Sequence, residues 1–135
     1  MVIIAPHPDD EVLGCGGIII KAVKRGIEVF IIYLSSGDSK QELRETEAVE
    51  VCKYFKTKKP FFLKLHKTGF KVSLRNIKKI IGVFQKIQPD VVFINHEQDG
   101  DREHQIAYHL TTEAAWRFNM NVDKAQQIKG IFLFS

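Results

Sequence analysis

Three stretches of this chain are apolar at almost every position: Val2-Ile3-Ile4, Ile27–Leu34 (Ile-Glu-Val-Phe-Ile-Ile-Tyr-Leu) and Val91-Val92-Phe93-Ile94. A strand with one wet face alternates apolar and polar residues. A run without alternation suits a strand covered on both faces, as in a parallel sheet between layers of helices. Helical signals fill the intervals. Glu11–Arg25 reads as a helix with Gly26 at its stop, and Gln41–Lys56 as a second with Leu43, Ala48, Val51, Cys52 and Phe55 as its apolar face. Ser73–Ile87, capped by Ser73, is a third and Glu103–Phe118 a fourth. The strands are then Val2–Ala5, Ile27–Leu34, Pro60–Leu65, Asp90–Asn95 and Ile128–Phe134. This alternation predicts an α/β fold with residues 1–135 as a single domain. Right-handed crossovers assemble it as a doubly wound, mainly parallel five-stranded sheet in the order 3-2-1-4-5.

Composition narrows the function classes. With 44% apolar and 27% charged residues the chain has an ordinary globular balance. No apolar run approaches the roughly 20 residues that span a bilayer, and the opening apolar stretch is too short for a signal peptide, so no transmembrane segment is expected. Cys15 and Cys52 form no CxxC pair, which fits a reducing, cytoplasmic setting. The net charge of +4 comes mainly from scattered lysines, clustered only at Lys56/Lys58/Lys59 and Lys78/Lys79. With five arginines and no basic stripe of interleaved aromatics, a nucleic-acid partner is not expected.

In the order 3-2-1-4-5 the first and fourth strands are neighbours where the winding reverses, and ligands bind beyond the carboxyl ends of such strands. The two loops leaving them, Pro6–Glu11 and His96–Glu103, are the segments richest in His, Asp and Glu. Carboxylates in that number are poor packing material unless paired or metal-bound. Three protein ligands and an open water position define a catalytic zinc site, and two histidines with one carboxylate are a common set. His7 and Asp10 on one tight turn, with His104 at the start of a helix, are the candidate ligands; Asp101 or Glu103 is the alternative third ligand. Asp9, adjacent to Asp10 and so turned to another side, is the candidate for the free carboxylate that takes a proton from water. Glu11 reads as a helix-start acid. A metal, a base and a polarised carbonyl make a hydrolase of amides or esters.

The segment Ala5–Gly17, A-P-H-P-D-D-E-V-L-G-C-G-G, resembles the signature of the zinc-dependent N-acetylglucosaminyl deacetylases known as the LmbE-like or PIG-L family. The resemblance continues at Ser35–Asp38 and at Leu43–Ala48, similar to that family's arginine-bearing second helix, and ends with Asp99–His104, where the family carries D-x-H-x-D-H. It implies a Rossmann-like fold and removal of acetyl from an N-acetylated amino sugar of the N-acetylglucosamine type or its conjugate. It assigns zinc to His7, Asp10 and His104, the acid/base role to Asp9 and a substrate contact to Arg44. Asp101 stands where the family has a histidine that helps stabilise the tetrahedral oxyanion, and Glu103 where it has aspartate, so both are candidate catalytic positions. A carboxylate at the first of these has the wrong sign for a developing negative charge unless protonated or turned away. The family runs longer than this chain, which makes residues 1–135 the N-terminal part of its domain.

Other features have plainer readings beside the functional ones. Gly14, Gly16 and Gly17 lack the spacing of a dinucleotide loop and are expected to serve close helix–sheet packing, with Cys15 as a small core residue. His96, at the end of the fourth strand, is a candidate substrate contact with a structural role as the alternative. Arg44 pairs either with substrate or with Glu45 or Glu47 on its own helix. His66 and His109 are expected at the surface or in the core, and Trp116 and the phenylalanines in the core. The chain ends one residue after an apolar strand. That edge is expected to be covered by further sequence or by a partner, a homo-oligomer included. A second reading of function keeps the fold and the site but not the turnover, as a metal- or sugar-binding module, motivated by Asp101.

Overall fold

Residues 1–37, 39–66 and 69–134 are described by the computed structural model, so Asp38, expected in the loop after the second strand, lies outside the described residues. The apolar runs become strands β1 (Val2–Ala5), β2 (Phe30–Tyr33), β3 (Phe61–Phe62), β4 (Val91–Asn95) and β5 (Gly130–Phe134). Between them lie α1 (Asp10–Lys24), α2 (Gln41–Phe55), α3 (Leu74–Ile87) and α4 (Arg102–Met120). All strand pairs are parallel, in the order β3-β2-β1-β4-β5. The α/β class and the 3-2-1-4-5 order expected from the sequence are the ones observed.

Three strands are shorter than their apolar runs, each for a local reason. Ile27 bonds back to the Ala22 carbonyl at the end of α1, so β2 starts only where Phe30 pairs with Val2. After β3 the amides of Leu63 and Leu65 still donate to the Tyr33 and Leu34 carbonyls, but Lys64 between them holds a left-handed backbone with φ 53°, which breaks the regular ladder. Before β5, the Ile128 amide goes to the Asn119 side chain at 2.8 Å, so pairing begins at Gly130 opposite Val91.

Each strand divides its side chains between two cores. Val2, Ile4, Ile32, Leu34, Val92 and Ile94 face α3 and α4, where Ile80, Phe84, Leu110 and Phe118 complete the larger core. Ile3, Ala5, Ile31 and Tyr33 face α1 and α2, packed on Cys15, Ile19, Ala48 and Cys52. The continuous apolar pattern thus has its cause in two covered faces. Cys15 is the small core residue expected, and burial pushes its thiol up to about 12. Gly14 carries the close packing: a Cβ there would sit 2.1 Å from the Phe134 ring, whereas Gly17 has open space.

Three core expectations are corrected. Trp116 is 60% exposed, Leu43 52% and Phe132, on the edge strand β5, 51%. At 3.6 residues per turn Trp116 lies about 200° round α4 from buried Ala114, and Leu43 about 140° round α2 from buried Ala48. The core side of α4 instead uses the small residues Ala107, Ala114 and Ala115, which let the helix approach the sheet.

Candidate metal centre

β1 and β4 lie side by side where the winding reverses, so the loops from their carboxyl ends share one crevice. His7 leaves β1, Asp10 opens α1 and His104 sits in the first turn of α4. The three bring one donor atom each to within 4.8 Å of one another. The Asp10 Oδ2 is 3.4 Å from the His104 Nε2 and 3.7 Å from the His7 Nδ1. A tetrahedron with metal–ligand bonds of about 2.0–2.1 Å has edges of about 3.4 Å, so these two separations are near those of a small, tetrahedrally held divalent cation. Asp10 is held in place by the His7 amide, which donates to its Oδ2 at 2.8 Å.

Each imidazole is held from behind by a carboxylate. The His7 Nε2 is 2.6 Å from Glu103 Oε2, and the His104 Nδ1 is 3.0 Å from Asp99 Oδ2. A carboxylate on one ring nitrogen keeps the proton there and leaves the other nitrogen's lone pair for a metal. Burial pulls the His7 imidazole down, but hydrogen bonds and charge from Asp10 and Glu103 outweigh it and raise its pKa. Asp99 is held below the ordinary carboxylate range, chiefly by the Asp101 amide and also by His104. Glu103, one of the alternative third ligands, therefore stands behind a ligand, and Asp99 has a part that the sequence reading did not give it.

Asp101 is the N-cap of α4: its Oδ1 accepts from the Glu103 amide at 2.6 Å. Its carboxylate thus faces its own helix and lies outside the three-donor group. His96, half-buried after β4, also lies outside that group, and its Nδ1 accepts from the Gln98 amide at 3.0 Å. The buried Asn95 ties the two elements together, donating to the His104 carbonyl at 2.7 Å. His66 and His109 are exposed and are not among the three donors.

Asp9 adopts φ 121° and ψ −33°, a region that side chains rarely enter. Such a backbone costs on the order of 1–3 kcal/mol and persists only where its surroundings impose it. Here the imposing group is Glu11, which the sequence reading made a helix-start acid and which is 1% exposed. Its carboxylate accepts from the Asp9 amide at 3.0 Å and from the Tyr33 hydroxyl at 2.7 Å. The Asp9 side chain is exposed and lies toward Arg44 of α2. Burial and the neighbouring Asp10 charge raise the Asp9 pKa, against the opposing pull of Arg44 and His7.

Arg44 reaches over from α2. Its guanidinium is 3.4 Å from the Pro8 carbonyl and 4.0 Å from Asp9 Oδ2, rather than bonded to the acids of its own helix. Gly37 makes room for it: with φ 78°, it sits where a Cβ would be 2.8 Å from the guanidinium. Beside this pair an apolar cavity of about 390 Å³ opens between α1 and α2, lined by Val12, Leu13, Ala48 and Val51.

Over residues 2–115 the chain matches the family model described as PIG-L, GlcNAc-PI de-N-acetylase. Its fold is similar to that of a conserved protein from Thermus thermophilus, with a TM-score of 0.87 and 24% identity over 98% of this chain and 64% of that one. It is likewise similar to the N,N'-diacetylchitobiose deacetylase from Pyrococcus horikoshii, with a TM-score of 0.82 and 24% identity over 98% and 59% of the two chains. A 4-carboxy-2-hydroxymuconate hydratase from Pseudomonas putida aligns with a TM-score of 0.77 and 20% identity over 85% and 55%. The chain spans less than two thirds of the length of each of these structures.

Proposed function

This chain belongs to the PIG-L, GlcNAc-PI de-N-acetylase family, and from that membership we propose that it is a zinc-dependent hydrolase of an N-acetylated amino sugar, of the N-acetylglucosamine type, or its conjugate. The observation that carries the reading is the separation of two kinds of group: His7, Asp10 and His104 converge within 4.8 Å, while Asp9 stands outside them on a strained turn. When bound at that donor set, zinc supplies Lewis acidity toward water and toward an amide carbonyl. The remaining work falls to the chain's own residues. Asp9 takes the proton of the attacking water as a new C–O bond forms at the acetyl carbon. When the C–N bond breaks, the same carboxyl returns that proton to the leaving amine, and acetate and a free amino sugar result. The upward shift of Asp9 suits both directions of transfer. Glu103 and Asp99 keep the two imidazoles in the metal-binding tautomer, and Arg44 and His96 contact the sugar.

The test is metal content and acetate release measured on the same samples. Asp9→Asn is expected to retain zinc and to lose acetate release from N-acetylglucosamine conjugates. Asp10→Ala and His104→Ala are expected to lose both. An active Asp9→Asn protein would remove the base assignment, and zinc retained by both ligand variants would remove the site. A second reading, a metal- or sugar-binding module without turnover, is favoured by Asp101. Its carboxylate caps α4 and brings no positive charge or donor to an oxyanion. Acetate release by the wild type would end that reading.

A further inference from the structure

A second concave site lies beside the metal centre, where the segment after β3 meets the start of α3. It is a cavity of about 290 Å³ lined by Lys64, His66, Lys71, Arg75, Asn76 and Lys79, with no carboxylate among its described lining residues. Lys64 is anchored to Glu45 at 3.4 Å and Lys79 to the Leu63 carbonyl at 2.8 Å. Lys71 and Arg75 are exposed and have no carboxylate partner among the described residues. The wall is well supported. Asn76, 5% exposed, donates to the carbonyls of Gly69 at 2.8 Å and Lys71 at 2.9 Å. These bonds pin Phe70, whose ring centroid lies 6.2 Å from that of His7. One short segment therefore puts Phe70 against a metal-site histidine and its two neighbours on the cationic cavity.

We propose that this cavity binds a phosphate group carried by the amino-sugar substrate whose acetamide lies at the metal centre. The proposal rests on the deacetylase reading for its substrate. Four cations arranged round one hollow match an anion with several terminal oxygens, and the Arg75 guanidinium can meet two of them at once. The size points the same way. At about 290 Å³ the cavity has room for a phosphate group.

Calorimetric titration tests it, with zinc present, at fixed low salt, for the wild type and the double variant Lys71→Ala/Arg75→Ala, both changes being at exposed side chains. The probes are N-acetylglucosamine 1-phosphate, N-acetylglucosamine and inorganic phosphate. The wild type is expected to bind the sugar phosphate at least about tenfold tighter than the plain sugar. The double variant is expected to lose most of that margin and keep its affinity for the plain sugar. Equal affinities in the wild type, or an undiminished margin in the variant, would overturn the proposal. So would inorganic phosphate binding as tightly as the sugar phosphate, or an oligonucleotide displacing it at equal concentration. A wild type that prefers the sugar phosphate but releases no acetate would refute the deacetylase reading while still supporting the phosphate site.

Discussion

His7 and His104 each give one ring nitrogen to a carboxylate and aim the other toward Asp10, so four acids divide into distinct tasks within a few ångströms. In the proposed function Asp10 is the metal ligand, Asp9 the free base, and Glu103 and Asp99 hold the rings. The division predicts a graded response. Glu103→Gln and Asp99→Asn should each weaken zinc binding about 10–100-fold without abolishing it, as read by competition with a chelator. Loss as complete as that of Asp10→Ala would make them ligands. Asp9 offers a second check at this scale. Asp9→Gly relieves a backbone at φ 121° and should raise unfolding stability by about 1 kcal/mol while ending turnover. A destabilised glycine variant would show that the side chain, not the turn, sustains the local structure. That His7, Asp10 and His104 would cluster was legible, because acids and imidazoles at strand ends are costly to place otherwise. Glu11 is the helix-start acid expected, in the first turn of α1, but its burial was not legible, since nothing in its spacing announces that Tyr33, 22 residues away, will donate to it.

Elements decide how closely these residues can meet. α1 approaches β5 so tightly at Gly14 that a methyl group there would overlap the Phe134 ring at 2.1 Å. Gly14→Ala should therefore cost about 1 kcal/mol net, overpacking exceeding the roughly 1 kcal/mol gained in helix propensity. Trimming the ring by Phe134→Ala in the same chain should reverse the sign of the glycine substitution. Additive effects in that double-mutant cycle would disprove the contact. Helix positions were readable to within a residue or two for α1, α2, α3 and α4. The misses came from rotation and register: Trp116 and Leu43 sit on outward faces, and β3 is cut short near Lys64. Periodicity locates a helix, but the rotation of α4 depends on how its alanines fit the sheet.

For the molecule as a whole, the core between the sheet, α1 and α2 contains several groups that resist ionisation. Burial raises the Cys15 thiol to about 12 and also raises the Cys52 thiol and the Tyr33 phenol, with the Glu11 charge adding to each. Each folded-state value lies above the unfolded one, so above about pH 8.5 the unfolded chain releases protons that the folded chain keeps. The contribution of these three groups should be constant up to that point and fall as pH rises toward 12, by about 1.4 kcal/mol per pH unit for each group in transition. Urea unfolding between pH 7 and pH 10.5 reads this directly, and Cys15→Ala should make the decline shallower. A stability constant to pH 10.5 would contradict the burial of these groups. Native Cys15 should also resist thiol reagents until the chain unfolds.

The amino-acid order by itself determined the two-faced parallel sheet, its strand order and the two acidic loops at the switch point. Those follow from short-range periodicity and from the handedness of crossovers, which every chain obeys alike. Only the tertiary structure decided which imidazole nitrogen is free, which acid is buried and which cations line a second cavity. Those depend on side chains from distant segments, such as His7 with Glu103 and Phe70 with His7. Contacts of that kind are set by the rotation and register of whole elements, to within fractions of an ångström that no local pattern encodes.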